Sequence, residues 1–344
     1  MQAFGSRRQL WIIGGAILLF LVIVIFLVDI NDLIKLFRRI NWFDLAVAAI
    51  VLLAGYLLIT VLLRYLLFNQ PGFMPTFYAI SVGFMLNLLF VPGVVAMVVT
   101  THWIAKVDIA QASSALLVQK VLYQIMRLST LALIIILLAG QETGTSVSIT
   151  SGLILLVLTF VSIILVIRYK ERVVTFLATQ LSRIRGLDEE QIRSTASTVI
   201  AGLETISSTR RLMISLLLSY AAWICFLIFQ YLVLDSLPLR LSVIQMWLIA
   251  AAVMAVMPPS INIIPILYHV VVILLLTTTQ LTNVTVAVVY AILLHLLITI
   301  NWAVLGNWSL IRNHLRLGQL VEAAKAQIAN RRSKSSAGEG AQYQ

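Results

Sequence analysis

The segment 45–68 reads LAVAAIVLLAGYLLITVLLRYLLF, and among its 24 residues only Arg64 carries a charge. A helix needs about 20 predominantly apolar residues to cross a hydrocarbon core of about 30 Å. Every backbone polar group inside lipid must also find a partner within the segment, and a single strand cannot supply one. The segment is therefore predicted to be a transmembrane α-helix.

Similar apolar blocks recur along the 344 residues, of which 61% are hydrophobic and 11% charged. Average soluble domains carry about 25% charged residues. With one cysteine, Cys225, the chain has no pair for an internal disulfide. These values exclude an ordinary soluble enzyme and a disulfide-stapled secreted module. We predict an all-α polytopic transmembrane bundle, whose other membrane segments are 10–28, 77–91, 94–105, 112–139, 147–167, 212–234, 243–257, 261–278 and 284–311.

Two pairs of short segments meet at prolines. Pro92-Gly93 separates 77–91 from 94–105, and Pro258-Pro259 separates 243–257 from 261–278. Fifteen helical residues span about 22 Å, less than the hydrocarbon thickness. Proline also disfavours helix at the residue before it. We therefore predict two proline-broken hairpins, either re-entrant or spanning, with ordinary kinked spans as the alternative.

The two halves of the chain match at an offset of 166 residues. Arg64-Tyr65 begins 28 residues before Pro92, and Gln230-Tyr231 begins 28 residues before Pro258. Five predicted membrane segments separate the copies, and an odd number turns the second copy upside down. We predict a membrane domain over 1–311 with inverted repeats at about 42–139 and 212–311. Inverted repeats with Pro/Gly-broken segments at matching positions are typical of transporters.

The net charge of +11 comes from 24 Lys and Arg against 13 Asp and Glu. The basic residues concentrate outside the apolar blocks, which is typical of cytoplasmic loops. They suit binding to an anionic leaflet surface better than binding to a nucleic acid. We predict a multi-pass cell-membrane protein with both termini cytoplasmic. Its polar cytoplasmic segment would be 168–211, and its basic tail, 312–344, would be partly disordered.

One cluster resists this topology, because Lys35, Arg38 and Arg39 would fall on the outer side. They lie in an amphipathic stretch, 29–43. Packing of that stretch into the membrane interface would account for them.

No enzyme motif is found: the sequence has no zinc-binding His-Glu-x-x-His, nucleophile elbow or P-loop. No acid, base and nucleophile can be assembled either. We expect no catalytic activity and no cofactor or metal, and any transport to be passive or driven by a gradient. His102 and His269 follow the two proline breaks by 10 and 11 residues, which suggests a pathway or, alternatively, interfacial histidines.

Cations inside apolar helices are the most informative residues. Lys120 and Arg127 lie seven residues apart within 112–139 and so share a helical face. A charge at the bilayer centre costs roughly 2.5–3.5 kcal/mol, and the only acids in 45–167 are Asp108 and Glu142. The sequence therefore predicts an anion supplied from elsewhere, such as lipid phosphate. The predicted substrate-binding residues are Lys120, Arg127, Arg64, Gln124, Asn87 and Asn262, and the predicted gating residues are Pro92, Gly93, Pro258 and Pro259.

Some of these residues have a structural alternative. Arg64 could instead extend its side chain to the membrane interface. Asn87 and Asn262 could equally form hydrogen bonds between helices, worth about 0.6 kcal/mol each.

Four short motifs stand out along the chain: Leu63-Arg64-Tyr65, Asn87 with Val91-Pro92-Gly93, Ser114 to Lys120, and Met257-Pro258-Pro259-Ser260. With these motifs the chain resembles the transmembrane flippase domain of lysylphosphatidylglycerol synthetases and its stand-alone integral-membrane relatives, over roughly 10–311. The resemblance implies a lipid translocase for an anionic or phosphate-bearing lipid, without lipid-modifying catalysis. The implied partners are membrane lipids and either a second copy of the chain or a separate synthetase or transferase, with no nucleic acid.

Two other functions remain open from the residues. The first is a small-solute secondary transporter, which would couple uptake to an ion gradient. The second is a non-transporting membrane protein that docks a partner through 168–211.

Overall fold

A computed structural model describes residues 30–88, 91–141, 208–239, 241–256, 265–278 and 282–327, together with isolated positions between 150 and 161. The predicted span 10–28 and nearly all of 147–167 and 168–211 lie outside the described residues. So do Pro258, Pro259 and Asn262.

The described residues are helical, with turns and bends between the helices and no strand. Residues 317–327 are also helical. The all-α prediction is therefore confirmed. The helices are α1 (Ile30–Arg38), α2 (Trp42–Leu66), α3 (Phe73–Leu88), α4 (Gly93–Ala105), α5 (Ile109–Gln141), α6 (Thr209–Asp235), α7 (Val243–Val256), α8 (Pro265–Thr278) and α9 (Val284–Arg312).

Four of the described helices, α2, α5, α6 and α9, are long and apolar enough to cross a membrane. Between them lie shorter apolar helices, among them α3, α4 and α7. The prediction of a polytopic membrane protein is confirmed by this arrangement. The order long, short, short, long occurs in α2–α5 and again in α6–α9. Inversion of the second set relative to the first stays a prediction.

The chain forms two compact units. The α3–α5 unit comprises residues 54–224 and 302–344, and the α7–α8 unit comprises 1–53 and 225–301. The α3–α5 unit contains α3, α4 and α5 whole, and the α7–α8 unit contains α7 and α8 whole. The helices α2, α6 and α9 each contribute a part to both units.

Glycines bring the helices of the α3–α5 unit close together. A Cβ added at Gly83 of α3 would lie 2.6 Å from Met97 Sδ of α4, and one at Gly306 of α9 would lie 2.5 Å from Met85 Cβ of α3. Small residues allow such approach, which helix association in lipid requires because burial of apolar surface offers no driving force there. Glycine on both sides thus places α3 tightly between α4 and α9.

Aromatic residues complete this packing. The buried Trp302 Nε1 donates a hydrogen bond of 2.6 Å to the Tyr56 hydroxyl, and the Trp302 ring stacks on Phe84 with centroids 4.9 Å apart. The bond links α9 to α2 across 246 residues of sequence.

The α7–α8 unit has a different core. Tyr290 of α9 is fully buried, and its hydroxyl donates to the carbonyl and to Oε1 of Gln230, both at 3.4 Å. His269 of α8 lies against His295 of α9, with ring centroids 5.0 Å apart. At the end of this unit where α1 lies, the Asn41 backbone N–H donates to Ser236 O at 2.9 Å.

Candidate functional site

Lys120 and Arg127 lie at membrane depth on α5, and both are half-buried. Lys120 follows the first residue of α5 by about 16 Å along the axis, and Arg127 precedes the last by about 21 Å, at 1.5 Å per residue. Within the described ranges, the Lys120 ammonium forms no ion pair. A half-buried ammonium at this depth needs an anion or a polar cavity.

The residues of α5 that contact α6 adjoin the two cations on the surface of the helix. Tyr123 and Thr130 lie on the same side of α5 as Lys120 and Arg127. Tyr123, Arg127 and Thr130 follow Lys120 by three, seven and ten residues. Trp223 of α6 donates to Thr130 Oγ1 at 2.8 Å, and its ring lies 6.5 Å from that of Tyr123. The cations therefore lie along the α5–α6 seam.

Hydroxyl groups fix the rotation of α5 at this seam. Ser129 donates to the carbonyl of Ile125 at 2.9 Å, so its oxygen accepts from the Tyr220 hydroxyl of α6 at 3.0 Å. Thr130 likewise donates to Met126 O at 2.8 Å, and its oxygen is left to accept from Trp223. With the helix rotation set by these bonds, the direction of the Lys120 and Arg127 side chains is restricted.

Gln119 and Gln124 lie on either side of this face. Gln119 is buried, and its amide donates to the Tyr123 hydroxyl at 3.3 Å. Gln124, a predicted substrate-binding residue, is exposed beside Val121 and Leu128. It stands at the border of the exposed face of α5.

The tip of the α3–α4 hairpin brings three predicted residues together. Pro92 caps α4 with an extended backbone conformation, and Gly93 begins that helix. Asn87 is 95% buried, being 5% exposed, and a Cβ at Gly93 would lie 3.3 Å from its Oδ1. Glycine therefore gives the Asn87 amide room to approach the start of α4 closely. The hydroxyl of Thr101, further along α4, is also buried and has no partner among the described residues.

Arg64 bonds to the turn that follows α2. Its Nε donates to the carbonyl of Pro71 at 3.0 Å and so holds the turn after α2, where Phe68 and Asn69 have left-handed backbone angles. The guanidinium of Arg211, near the start of α6, lies over the Phe68 ring at 3.9 Å. In this structure Arg64 supports that turn, and its role in substrate binding stays a prediction.

The described site residues thus all belong to the α3–α5 unit. Sequence reasoning missed Ser129, Thr130, Tyr220 and Trp223. A Ser-Thr pair within an apolar span was the available signal, but its partners lie more than 90 residues away. In the part of the chain that the structure describes, no group of three or more His, Cys, Asp or Glu could hold a metal ion.

Comparison with known families gives one match. The model of the family described as "Lysylphosphatidylglycerol synthase TM region" matches residues 11–306. No curated protein and no solved structure matches the chain.

Proposed function

The chain belongs to the family of lysylphosphatidylglycerol synthase transmembrane regions, and from this premise we propose that it translocates a lipid with an anionic or phosphate-bearing head group. The family supports a membrane function related to lipids. We propose translocation without catalysis, in the cell membrane, with both termini cytoplasmic.

The observation that carries the proposal is the cation face of α5. Each charge at the bilayer centre costs roughly 2.5–3.5 kcal/mol unless it is neutralised or solvated. Lys120 has no ion pair among the described residues, and Arg127 shares its face. A lipid phosphate that passes along the α5–α6 seam would neutralise Lys120 and meet Arg127 on the same side of α5. A guanidinium recognises phosphate through paired hydrogen bonds, and an ammonium acts as a point charge.

The α3–α4 tip supplies a candidate gate. The Asn87 amide lies close to Gly93, where α4 begins. Irregular backbone at membrane depth is tolerated only inside protein or along a wet cavity. Movement of the Asn87 amide away from Gly93 would expose polar groups to a head group.

The contact of Arg211 with Phe68 supports the proposed topology. It places the end of α2 next to the start of α6. The topology with both termini cytoplasmic requires these two helix ends to lie on one side of the membrane.

Lipid scrambling in proteoliposomes tests the proposal. Fluorescent lipids with anionic, zwitterionic and cationic head groups would be compared for the wild type, the Lys120→Gln/Arg127→Gln double variant and protein-free vesicles. A charge-matched control is Lys106→Gln/Arg316→Gln, since both residues are exposed. We expect faster movement of the anionic lipid, lost in the α5 variant and kept in the control.

Two results would count against the proposal. Scrambling by the α5 double variant at the wild-type rate would remove the assigned roles of Lys120 and Arg127. No movement above the protein-free rate for any head group would contradict translocation itself.

A further inference from the structure

A charged cavity lies in the α7–α8 unit, among residues that the proposed function does not use. Its volume is about 350 Å³, at the lower end of the range for ligand pockets and suited to a head group rather than a whole lipid. The lining comes from α1, the turn after α6 and the start of α9, and it includes Asp32, Lys35, Arg39, Leu239, Asn283 and Thr285.

The walls of this cavity are held in place by the fold. Asn41, which follows α1, donates its backbone N–H to Ser236 O at 2.9 Å, and Leu239 N donates to Leu237 O at 2.7 Å. Asn283 caps α9 by accepting from the Val286 N–H at 2.9 Å. The three segments thus present a preformed lining.

The charge of the lining is positive. Lys35 Nζ lies 2.9 Å from Asp32 Oδ1, so the one carboxylate of the lining already faces an ammonium. Arg39 adds a second cation, for which the described residues give no ion pair. Thr285 adds a hydroxyl in the first turn of α9, the positive end of that helix dipole. This set of donors suits a phosphate oxygen better than a cation.

The surroundings indicate a lipid source for the phosphate. Trp42 and Phe43 follow directly after α1 and are 66% and 73% exposed. Tryptophan is enriched at the level of the lipid head groups. Val243 and Ile244, which begin α7 shortly after Leu239, are also largely exposed. The segments that line the cavity are therefore followed by exposed aromatic and apolar residues that suit the membrane interface.

We propose that this cavity binds the phosphate of a phospholipid at the membrane interface, through Arg39, Lys35 and Thr285. The site is separate from the α5 cations, and it does not depend on translocation. It also accounts for the basic cluster on α1. The preference of Lys and Arg for cytoplasmic loops would not by itself place that cluster on the outer side.

Native mass spectrometry of the detergent-solubilised full chain would test the site. The probes are phosphatidylglycerol and a diacylglycerol with the same acyl chains but no phosphate. The test variant is Lys35→Gln/Arg39→Gln. The control is Arg38→Gln, because Arg38 is exposed like Arg39 and Lys35 but does not line the cavity. Thr285→Val provides a second variant that leaves the charge unchanged.

We expect the double variant to bind phosphatidylglycerol about tenfold more weakly, as loss of a charge-assisted contact to phosphate would cause. Arg38→Gln should change binding by less than about twofold, since an exposed charge outside the site contributes little. Thr285→Val should weaken binding by a smaller factor than the double variant, and diacylglycerol should bind weakly to all of them. Excess inorganic phosphate should leave the lipid bound.

Three outcomes would overturn the inference: equal binding of phosphatidylglycerol by the double variant and Arg38→Gln, equal binding of diacylglycerol, or displacement by inorganic phosphate alone. Binding by the cavity variants is then measured again in the Lys120→Gln/Arg127→Gln background. If Lys35→Gln/Arg39→Gln still weakens binding there, the result supports a separate site, whatever the scrambling assay shows. Its disappearance would mean that the lipid had been bound at α5, and would also overturn the inference.

Discussion

The α3–α4 hairpin and the α7–α8 hairpin occupy the same place in the order of elements but are built from different residues. The first contains Gly83 against Met97, and it buries polar side chains including Thr76, Ser81 and Asn87. In the second, α7 has alanines where close packing is needed, with Ala250 and Ala255 buried and no glycine in the helix. Its described buried polar residue is His269.

The difference shows that one order of helices can be packed in two ways. Glycine gives the shortest helix separation and leaves no room for a side chain, whereas alanine keeps helix propensity and accepts small changes. Buried hydroxyl and amide groups concentrate in the glycine-packed hairpin. We therefore expect the first hairpin to be the one that meets a polar head group.

The largest expected effect is on packing. Gly83→Val should destabilise the protein by about 3 kcal/mol, since crowding of this kind typically costs 1–3 kcal/mol and the first atom added would lie 2.6 Å from Met97 Sδ. The matched change in the other hairpin, Ala252→Val at a half-buried position of α7, should cost less than about 1 kcal/mol. Thermal unfolding in detergent measures both.

A companion pair sharpens this prediction. Met97→Ala should restore part of the stability of Gly83→Ala, because it removes the flexible thioether. Met85→Ala should not restore Gly306→Ala, because the clashing atom there is Met85 Cβ, which alanine keeps. Equal losses in the two hairpins, or equal rescue at the two glycines, would remove the distinction drawn between them.

The next effect concerns buried tyrosines in the two units. Tyr56→Phe leaves the buried Trp302 N–H without its 2.6 Å acceptor, and an orphaned buried donor costs about 1–3 kcal/mol, so we expect about 2 kcal/mol. Tyr290→Phe removes two long bonds of 3.4 Å to Gln230 and should cost about half as much. Denaturant unfolding should rank Tyr56→Phe below Tyr290→Phe in stability, and the reverse ranking would contradict the prediction.

A smaller effect is expected at the α5–α6 seam. Trp223→Phe removes the donor to Thr130 and should cost about 1 kcal/mol, a usual net value for one hydrogen bond. Because that bond orients the cation face, lipid scrambling should fall as well. Trp247→Phe in α7 is the control, since its ring stacks on Tyr231 and a phenyl ring can still stack there. An equal loss of scrambling in both variants would mean that the α5–α6 seam has no specific role in transport.

The smallest effect is expected at the hairpin tip. Gly93→Ala places a Cβ 3.3 Å from Asn87 Oδ1, so the amide must shift from its preferred rotamer at a cost of about 0.5 kcal/mol. Scrambling should change about two- to threefold. The double variant Asn87→Ala/Gly93→Ala removes the crowding, and its thermal stability should return toward that of Asn87→Ala alone. Stability unchanged by Gly93→Ala in both backgrounds would contradict the tight contact.

Hydropathy predicted the membrane helices well but placed several of their starts about three residues late. The predicted segments 112–139 and 212–234 correspond to α5, which begins at Ile109, and α6, which begins at Thr209. The first turns contain polar residues that a hydropathy window excludes. Asp108 accepts from the Ala110 N–H at 2.8 Å, and Ser208 accepts from the Arg211 N–H at 3.2 Å. Such capping side chains begin a helix before its apolar part does.

The candidate site was only partly accessible from the sequence. The shared face of Lys120 and Arg127 follows from helical periodicity alone. The contact of Trp223 with Thr130 and that of Arg211 with Phe68 depend on which helices become neighbours, and this order is not encoded by local spacing. The cavity beside Arg39 likewise joins three distant segments, so the basic residues of α1 were noticed from the sequence only as an exception.

The bond between Tyr56 and Trp302 also has a consequence for biogenesis. Its two residues are 246 positions apart, and at roughly 5–20 residues per second their synthesis is separated by about 12–50 s. During that interval α3 can already pack on α4, while the side of α3 that receives Gly306 has no α9 to cover it. Lipid or an insertion factor must occupy that side until the last long helix enters the membrane. Assembly of the α3–α5 unit is therefore completed late in translation, although most of its helices are made early.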